Sequence, residues 1–322
     1  MSAARTAAPA AAADRGAGPD SGFPAGSAGS TGSAGGVAGA VAARHLTDLF
    51  GDRRPAVHDL YDEVGGPIYH DISRRDPHEI RQVLAAVRAV PGPVLDLAAG
   101  SGRLTVPLLA LGRPVTALEL SPTMRSLLAG RLAELPAAAR ARCRVVADDM
   151  RTFVLPERFG AVVLATTTIS LFDAPDRARV LERIRAHLAP HGRLLLSTVE
   201  IVPGAPTDSR TPLTGAGGRA YRLHERVDPA AGVRSVVIHP DPPAPDGPVC
   251  AGTVRILRPD KVTAELARHG LAVRSVEAMP TGSSRYRDWM IVAEAATASV
   301  EPAGIEPASV EPAGVEPVGA GR

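Results

Sequence analysis

The sequence predicts an α/β fold: a doubly wound, mostly parallel sheet of seven strands, with helices ahead of it and a β-hairpin inserted late in the chain. Three observations predict it. Short aliphatic runs alternate with amphipathic helical stretches between residues 43 and 296, the pattern of βαβ units around a sheet buried on both faces. The first run, Val94-Leu95-Asp96-Leu97, passes into a glycine turn, Ala98-Ala99-Gly100-Ser101-Gly102. The next two runs lead into carboxylates, Glu119 and Asp149.

In chain order, residues 1–42 are Ala, Gly, Ser and Pro with almost no large apolar side chain, so folding them would lose backbone entropy without compensating burial. A disordered tail is expected. A cleaved targeting peptide is the rival reading, opposed by Asp14, Asp20 and the lack of a continuous apolar stretch. His58–Ile72 and Asp76–Val90 have helical spacing and precede the sheet, which makes them material for a lid. Strands are expected at Pro93–Leu97, Pro114–Glu119, Cys143–Ala147, Ala161–Ala165 and Arg193–Thr198. Between them Ser121 caps a helix from Pro122 to Glu134, and Asp173 caps one from Pro175 to Leu188, each with proline in the first turn. Segment 200–258 is rich in Pro and Gly but alternates in Tyr221–Val227 and Val233–His239, which reads as an inserted hairpin. A helix over Pro259–His269 stops at Gly270, and two last strands follow at Leu271–Glu277 and Asp288–Ala295. Beyond residue 297 a five-residue Glu-Pro-Ala-Gly repeat excludes helix and central strand, so 297–322 is a second disordered tail and the domain is 43–296.

Composition limits the partners. The net charge is +2, and a single lysine, Lys261, stands among interspersed arginines and acids, which leaves no basic stripe for nucleic acid. Two cysteines, Cys143 and Cys250, with no His cluster at ligand spacing, support neither a disulfide framework nor a bound metal, and point to a reducing, cytoplasmic compartment. No apolar run reaches membrane-spanning length.

The glycine turn is where the chemistry concentrates. A strand entering a glycine turn that opens a helix presents backbone N–H groups at a positive helix end. Glu119, at the end of the second strand, stands where a carboxylate accepts both ribose hydroxyls of an adenosine, with Leu120 and Met124 beside it. Asp149 is positioned for an adenine amino group and Met150 for the ring. A nicotinamide-binding turn wants a third glycine at the position of Thr105, and Asp96 ahead of Ala98, Gly100 and Gly102 would repel its pyrophosphate. The same Asp96 suits the ammonium of a methionine moiety, which favours S-adenosylmethionine (SAM).

These residues, with the span 58–295, resemble the class I SAM-dependent methyltransferases, whose Rossmann-like fold implies seven strands with the last antiparallel. Ala98 stands where that family usually has glycine, and Gly160 where an acid often precedes the fourth strand. His58-Asp59-Leu60-Tyr61, Ile68-Tyr69-His70-Asp71, Leu97 to Leu104 and Ala165 to Leu171 resemble more specifically the methyltransferases of daptide-type ribosomal peptide pathways, which implies dimethylation of an amine at a modified peptide C-terminus. Methyl transfer to an amine needs alignment and a deprotonated nitrogen rather than a special nucleophile. Tyr69, His70 and Asp71 on the expected lid and His224, beside Glu225 in the insertion, are the candidate catalytic residues; Tyr69 and Tyr61 also suit a sulfonium through cation–π attraction. Thr166, leaving the fourth strand at the carboxyl edge of the sheet, is a candidate cofactor contact. The substrate expected is a peptide or small amine. A small-molecule O- or C-methyltransferase and a noncatalytic scaffold with the same fold are the alternatives.

Overall fold

A computed structural model describes residues 37–53, 55–244 and 246–296. In chain order the elements are α1 (Val37–Phe50), β1 (Val57–Asp59), α2 (Gly65–Ser73), α3 (Ile80–Arg88), β2 (Val94–Leu97), α4 (Thr105–Ala110), β3 (Val115–Leu118), α5 (Pro122–Ala133), α6 (Ala137–Arg140), β4 (Cys143–Val146), β5 (Phe159–Leu164), α7 (Ala174–His187), β6 (Leu188–Ile201), β7 (Asp208–Thr214), β8 (Ala220–Asp228), β9 (Val233–Pro240), β10 (Val249–Arg255), α8 (Pro259–Arg268), β11 (Leu271–Met279) and β12 (Tyr286–Ala295).

The main sheet has the order β11-β12-β6-β5-β2-β3-β4. Strands β2 to β6 run parallel, and β12 lies antiparallel between β6 and β11. Strand order reverses between β2 and β5, so the crevice beyond their carboxyl ends is the place for a ligand. Alternation along the buried strands feeds two cores: Leu95, Leu97, Val162, Leu164, Leu194 and Leu196 pack on one face, and Val94, Ala161, Val163, Leu195 and Met290 on the other. The two expected caps are made, with Ser121 Oγ accepting from Met124 N at 3.2 Å and Asp173 Oδ1 from Asp176 N at 2.9 Å. Among the described residues no helix is long and apolar enough to cross a membrane.

Three expectations need correction. Segment 200–258 forms four antiparallel strands rather than a hairpin: β8 and β9 are the expected pair, and β7 and β10 flank them, with β1 added parallel to β10. Pro212 disguised β7 in the sequence, yet β7 is the sheet edge, where proline removes no ladder bond. The helix expected over 58–72 is shortened to α2, because Asp59 and Asp62 turn their carboxylates onto the backbone N–H groups of Tyr61, Val64 and Gly65 at 2.7–2.8 Å and so compete with helical bonding. Helix α1 begins inside the segment 1–42 assigned to the tail. Its own Val41 and His45 are buried, the latter with Nδ1 2.9 Å from Ser235 Oγ. The rest of that tail and residues 297–322 lie outside the described residues.

Deleting residues 1–36 is expected to leave the thermal midpoint within about 1 °C, whereas deletion through residue 50 should lower it by at least about 5 °C, the shift that 2 kcal/mol or so of lost packing produces in a domain of this size. Calorimetric scans of the two truncations check this, and equal midpoints would remove α1 from the folded unit.

Candidate active site

Strand β2 ends at Leu97 and the chain turns through three left-handed residues, Ala98 (φ 54°), Gly100 (φ 56°) and Gly102 (φ 85°). At Gly102 a side chain is excluded twice over: the φ is positive, and a Cβ would stand 2.5 Å from Leu128 Cδ1 on α5. Ala98 tolerates the left-handed conformation at a cost of about 1 kcal/mol. The turn is fastened to the second strand by Glu119, whose Oε2 accepts from Gly100 N and Oε1 from Ser121 N, both at 2.8 Å. Each ionised oxygen has capacity for further donors, so the buried carboxylate fits the ribose hydroxyls of an adenosine while it shapes the loop that would receive it.

Asp96 is buried at the carboxyl end of β2 and accepts from Thr105 Oγ1 at 2.6 Å. Burial pushes its pKa up to about 7; the Thr105 bond and Arg103 oppose the rise, and Glu119 and Glu79 add to it. A cation beside it would draw this carboxyl back to its ionised form. A cleft runs along Asp96, Ala98, Arg103, Leu104, Ala165 and Thr166.

Over the cleft lies a buried ion pair. Arg103 Nη2 donates to Glu79 Oε1 and to Thr166 Oγ1, each at 2.6 Å, and Nη1 donates to His78 O at 2.6 Å. Burial opposes ionisation of Glu79, but Arg103 and His78 outweigh it and hold the carboxyl below its usual range. The glycine loop, the start of α3 and the loop after β5 are thereby joined at one guanidinium. Glu79 (φ 54°), Thr166 (φ 55°) and Thr167 (φ 54°) all hold left-handed backbone here. Tyr61 and Tyr69 complete the roof, edge to face at 5.3 Å between ring centroids; both are buried with Met124, and Glu119 is among the charges acting on both phenols.

Strand parity in the second sheet decides what else faces the site. Tyr221, Leu223, Glu225 and Val227 share one face of β8, toward Tyr61, Tyr69 and Met124, while Arg222, His224 and Arg226 share the other. Glu225 Oε1 lies 3.3 Å from Arg234 Nη1 and Oε2 3.1 Å from Arg285 Nη1. The two guanidiniums lie 5.2 and 5.1 Å from the ring centre of Tyr286. This cluster joins the second sheet to β12.

The sequence-predicted residues therefore separate. Asp96, Ala98, Gly100, Gly102, Glu119, Met124, Tyr69 and Thr166 gather at the turn and its roof. Leu120 is half-buried, its carbonyl held by Arg125 Nη1 at 2.6 Å. Met150 packs in the core beside Leu118 and Ala98. The carboxylate of Asp149 is gripped by Arg151, with Nη2–Oδ2 at 2.5 Å, and Arg151 reaches on to Asp176 at 3.0 Å. The other expected catalytic residues, Asp71, His70 and His224, have different surroundings. Asp71 accepts from Tyr221 Oη at 2.9 Å and Gly217 N at 2.6 Å, pinning the β7–β8 turn to α2; a Cβ on Gly215 would strike its carboxylate at 2.0 Å. His70 faces Arg131 and Arg74; its pKa is lowered by burial, with those two charges adding to the effect. His224 lies on the outer face of its sheet, with Nε2 3.1 Å from His239 Nε2, and borders a cavity of about 220 Å³ shared with His45 and Arg226. Its pKa is lowered to about 4, chiefly by burial. The single-residue offset between His224 and Glu225 reverses which of them looks inward. Sequence reasoning also missed Glu79, Arg103, Arg234 and Arg285: Arg103 meets Glu79 across 24 residues, Arg285 meets Glu225 across 60, and Arg234 meets Glu225 through the pairing of β8 with β9, none of which leaves a local signal.

Comparison with known proteins identifies the family. Residues 94–192 match the family described as a methyltransferase domain. The glycopeptide N-methyltransferase MtfA, in a structure complexed with SAM, is 37% identical, with 75% of this chain and 98% of that one covered at a TM-score of 0.53. The CcbJ methyltransferase from Streptomyces caelestis shares the fold at 21% identity and a TM-score of 0.62, over 74% of this chain and 99% of that one. The ubiquinone biosynthesis O-methyltransferase of Xanthomonas campestris pv. campestris (strain B100) is 30% identical over 162 residues, which are 50% of this chain; the chain spans 64% of that relative's length. The chain belongs to the class I SAM-dependent methyltransferases, a family whose methyl donor is SAM.

Replacing Glu119 by Ala should weaken S-adenosylhomocysteine binding about tenfold to a hundredfold, since charge-assisted bonds of roughly 1.5–3 kcal/mol are lost; unchanged affinity in a folded variant, read by titration calorimetry, would dissociate the turn from the cofactor. Ala98→Gly should raise stability by up to about 1 kcal/mol by relieving the left-handed alanine, against the entropy a new glycine adds to the unfolded chain. Because the folded pKa of Asp96 exceeds its unfolded value, its proton stabilises the fold at low pH and that contribution is lost as pH climbs from about 4 to about 7. Thermal midpoints of the cofactor-free protein should therefore fall more steeply over that window than those of Asp96→Asn; parallel curves would contradict the assignment.

Proposed function

We propose that this chain is an N-methyltransferase that methylates, and dimethylates, the terminal amine of a ribosomally made peptide in natural-product biosynthesis. The observation that carries N-methylation is the set of buried acids: Glu79, Asp96, Glu119, Glu225 and Asp288 stand against the buried guanidiniums Arg103, Arg177, Arg234 and Arg285, and burial holds Asp96 and Asp288 toward the neutral form, from which a sulfonium or an ammonium would ionise them. The likeness to a glycopeptide N-methyltransferase over nearly the whole of that protein supports the same reading. The peptide class rests on the resemblance in residues 58–71, 97–104 and 165–171.

In this reading Asp96 holds the methionine ammonium, Glu119 the ribose hydroxyls, and Asp149 with Met150 the adenine, Arg151 sharing the Asp149 carboxylate. Tyr61 and Tyr69 offer aromatic surface to positive charge and, with the Arg103–Glu79 roof, exclude water. When bound, SAM supplies an electrophilic methyl group on a cationic sulfur. The chain's part is to align a neutral nitrogen with that methyl in a dry, anionic chamber, which suffices for large acceleration. O-methylation of a small molecule is the second reading, favoured by the O-methyltransferase relatives.

Incubation with SAM and peptides bearing a terminal aminoalkyl group should give products heavier by one and two methyl groups, mapped by fragmentation to the terminal nitrogen. Activity should rise with pH as the acceptor ammonium deprotonates. Methylation confined to hydroxyl or carbon atoms, with amines untouched, would reject the N-methyl reading.

A further inference from the structure

Asp288 is 1% exposed and neither carboxylate oxygen has a hydrogen-bond partner, an expensive state for a buried acid. Its place in the sheet is informative. Asp288 pairs with Val199 near the carboxyl end of β6. Val199 alternates in step with Leu195, Leu195 pairs with Val163, and Val163 pairs with Asp96, so Asp288 and Asp96 stand on one face of the sheet toward the same edge. The groups facing Asp288 are His78 and Glu79 from the α2–α3 connection, Arg234 from β9 and Thr281 from the β11–β12 turn. Of these His78 Nε2 is 3.8 Å from Oδ2, too far for a hydrogen bond. Burial raises the Asp288 pKa, and His78, Thr281 and Arg234 only moderate the rise. The His78 side chain is 13% exposed, so it has one side toward solvent.

We propose that Asp288 is the acceptor-binding carboxylate: it receives the ammonium form of the amine substrate on the face of the sheet shared with Asp96 and takes one of its protons. The assignment rests on the N-methyltransferase reading and adds the group that recognises the acceptor. An N–H bond of the ammonium breaks with its electron pair staying on nitrogen, an O–H bond forms on Asp288, and His78 passes the proton outward. A hydroxyl-bearing acceptor carries no charge to fill the site, which makes Asp288 a discriminator between amines and alcohols.

The test is calorimetric. Protein saturated with S-adenosylhomocysteine is titrated with a short peptide carrying a C-terminal aminoalkyl group and with its isosteric hydroxyalkyl analogue, for the parent and for Asp288→Asn. The parent should prefer the amine at least tenfold, and the variant should lose that preference while binding S-adenosylhomocysteine within twofold of the parent and melting no lower, because a buried carboxyl group without a hydrogen bond has been replaced by an uncharged isostere. Asp288→Ser carries the same test if the Asn variant does not fold. No amine preference in the parent, or a preference that survives substitution, overturns the assignment. Amine selectivity that depends on Asp288 without any N-methylated product would leave this site standing and reject the methylation reading. N-methylated product with selectivity indifferent to residue 288 would do the reverse.

Discussion

Buried carboxyl groups gathered toward the carboxyl edge of the main sheet are the constraint on which this structure turns. Each guanidinium that is present also serves as a joint between distant segments. Arg103 joins the glycine loop, α3 and the loop after β5; Arg234 and Arg285 join the second sheet to β12 through Glu225. Removing one member of such a pair leaves an uncompensated buried charge, which typically costs about 3–5 kcal/mol. Uncharged donors also hold two of the buried carboxyl groups: backbone N–H groups of the glycine turn hold Glu119, and a threonine hydroxyl holds Asp96.

The same region concentrates backbone strain. Glu79, Ala98, Thr166 and Thr167 are all left-handed without being glycine, and β-branched residues rarely adopt that conformation. Such residues persist when surrounding contacts over-determine them, and here the contacts are visible: the Thr166 hydroxyl is held between Arg103 and Glu79, and Thr167 N donates to Ser197 Oγ at 3.1 Å. The ion pair and the strained turns support each other.

Much of the scaffold was legible in the sequence because its signals are local. The parallel strands are largely aliphatic runs, Ser121 and Asp173 cap helices by accepting from the backbone N–H three residues on, and the turn from Asp96 to Gly102 carries its own geometry. The second sheet was only half legible: alternation exposed β8 and β9, but proline and glycine in the flanks hid β7 and β10. The acceptor side was the least legible. Whether His224 or Glu225 faces inward depends on sheet register, Asp71 looked chemical but holds a turn, and Asp288 reads in the sequence as an ordinary polar residue of a last strand. Burial and long-range pairing, which sequence spacing does not encode, distinguish these residues.

Proton release on cofactor binding tests the account most directly. Asp96 holds a proton with a pKa near 7 in the cofactor-free protein, and a cation placed against it must expel that proton. Titration of SAM at pH 7 in two buffers of different ionisation enthalpy should show the parent releasing a few tenths of a proton more than Asp96→Asn on binding, by the same linkage. Equal proton exchange in the two proteins, with SAM bound to both, would contradict the claim that buried carboxylates at this edge are charged by the ligand they receive.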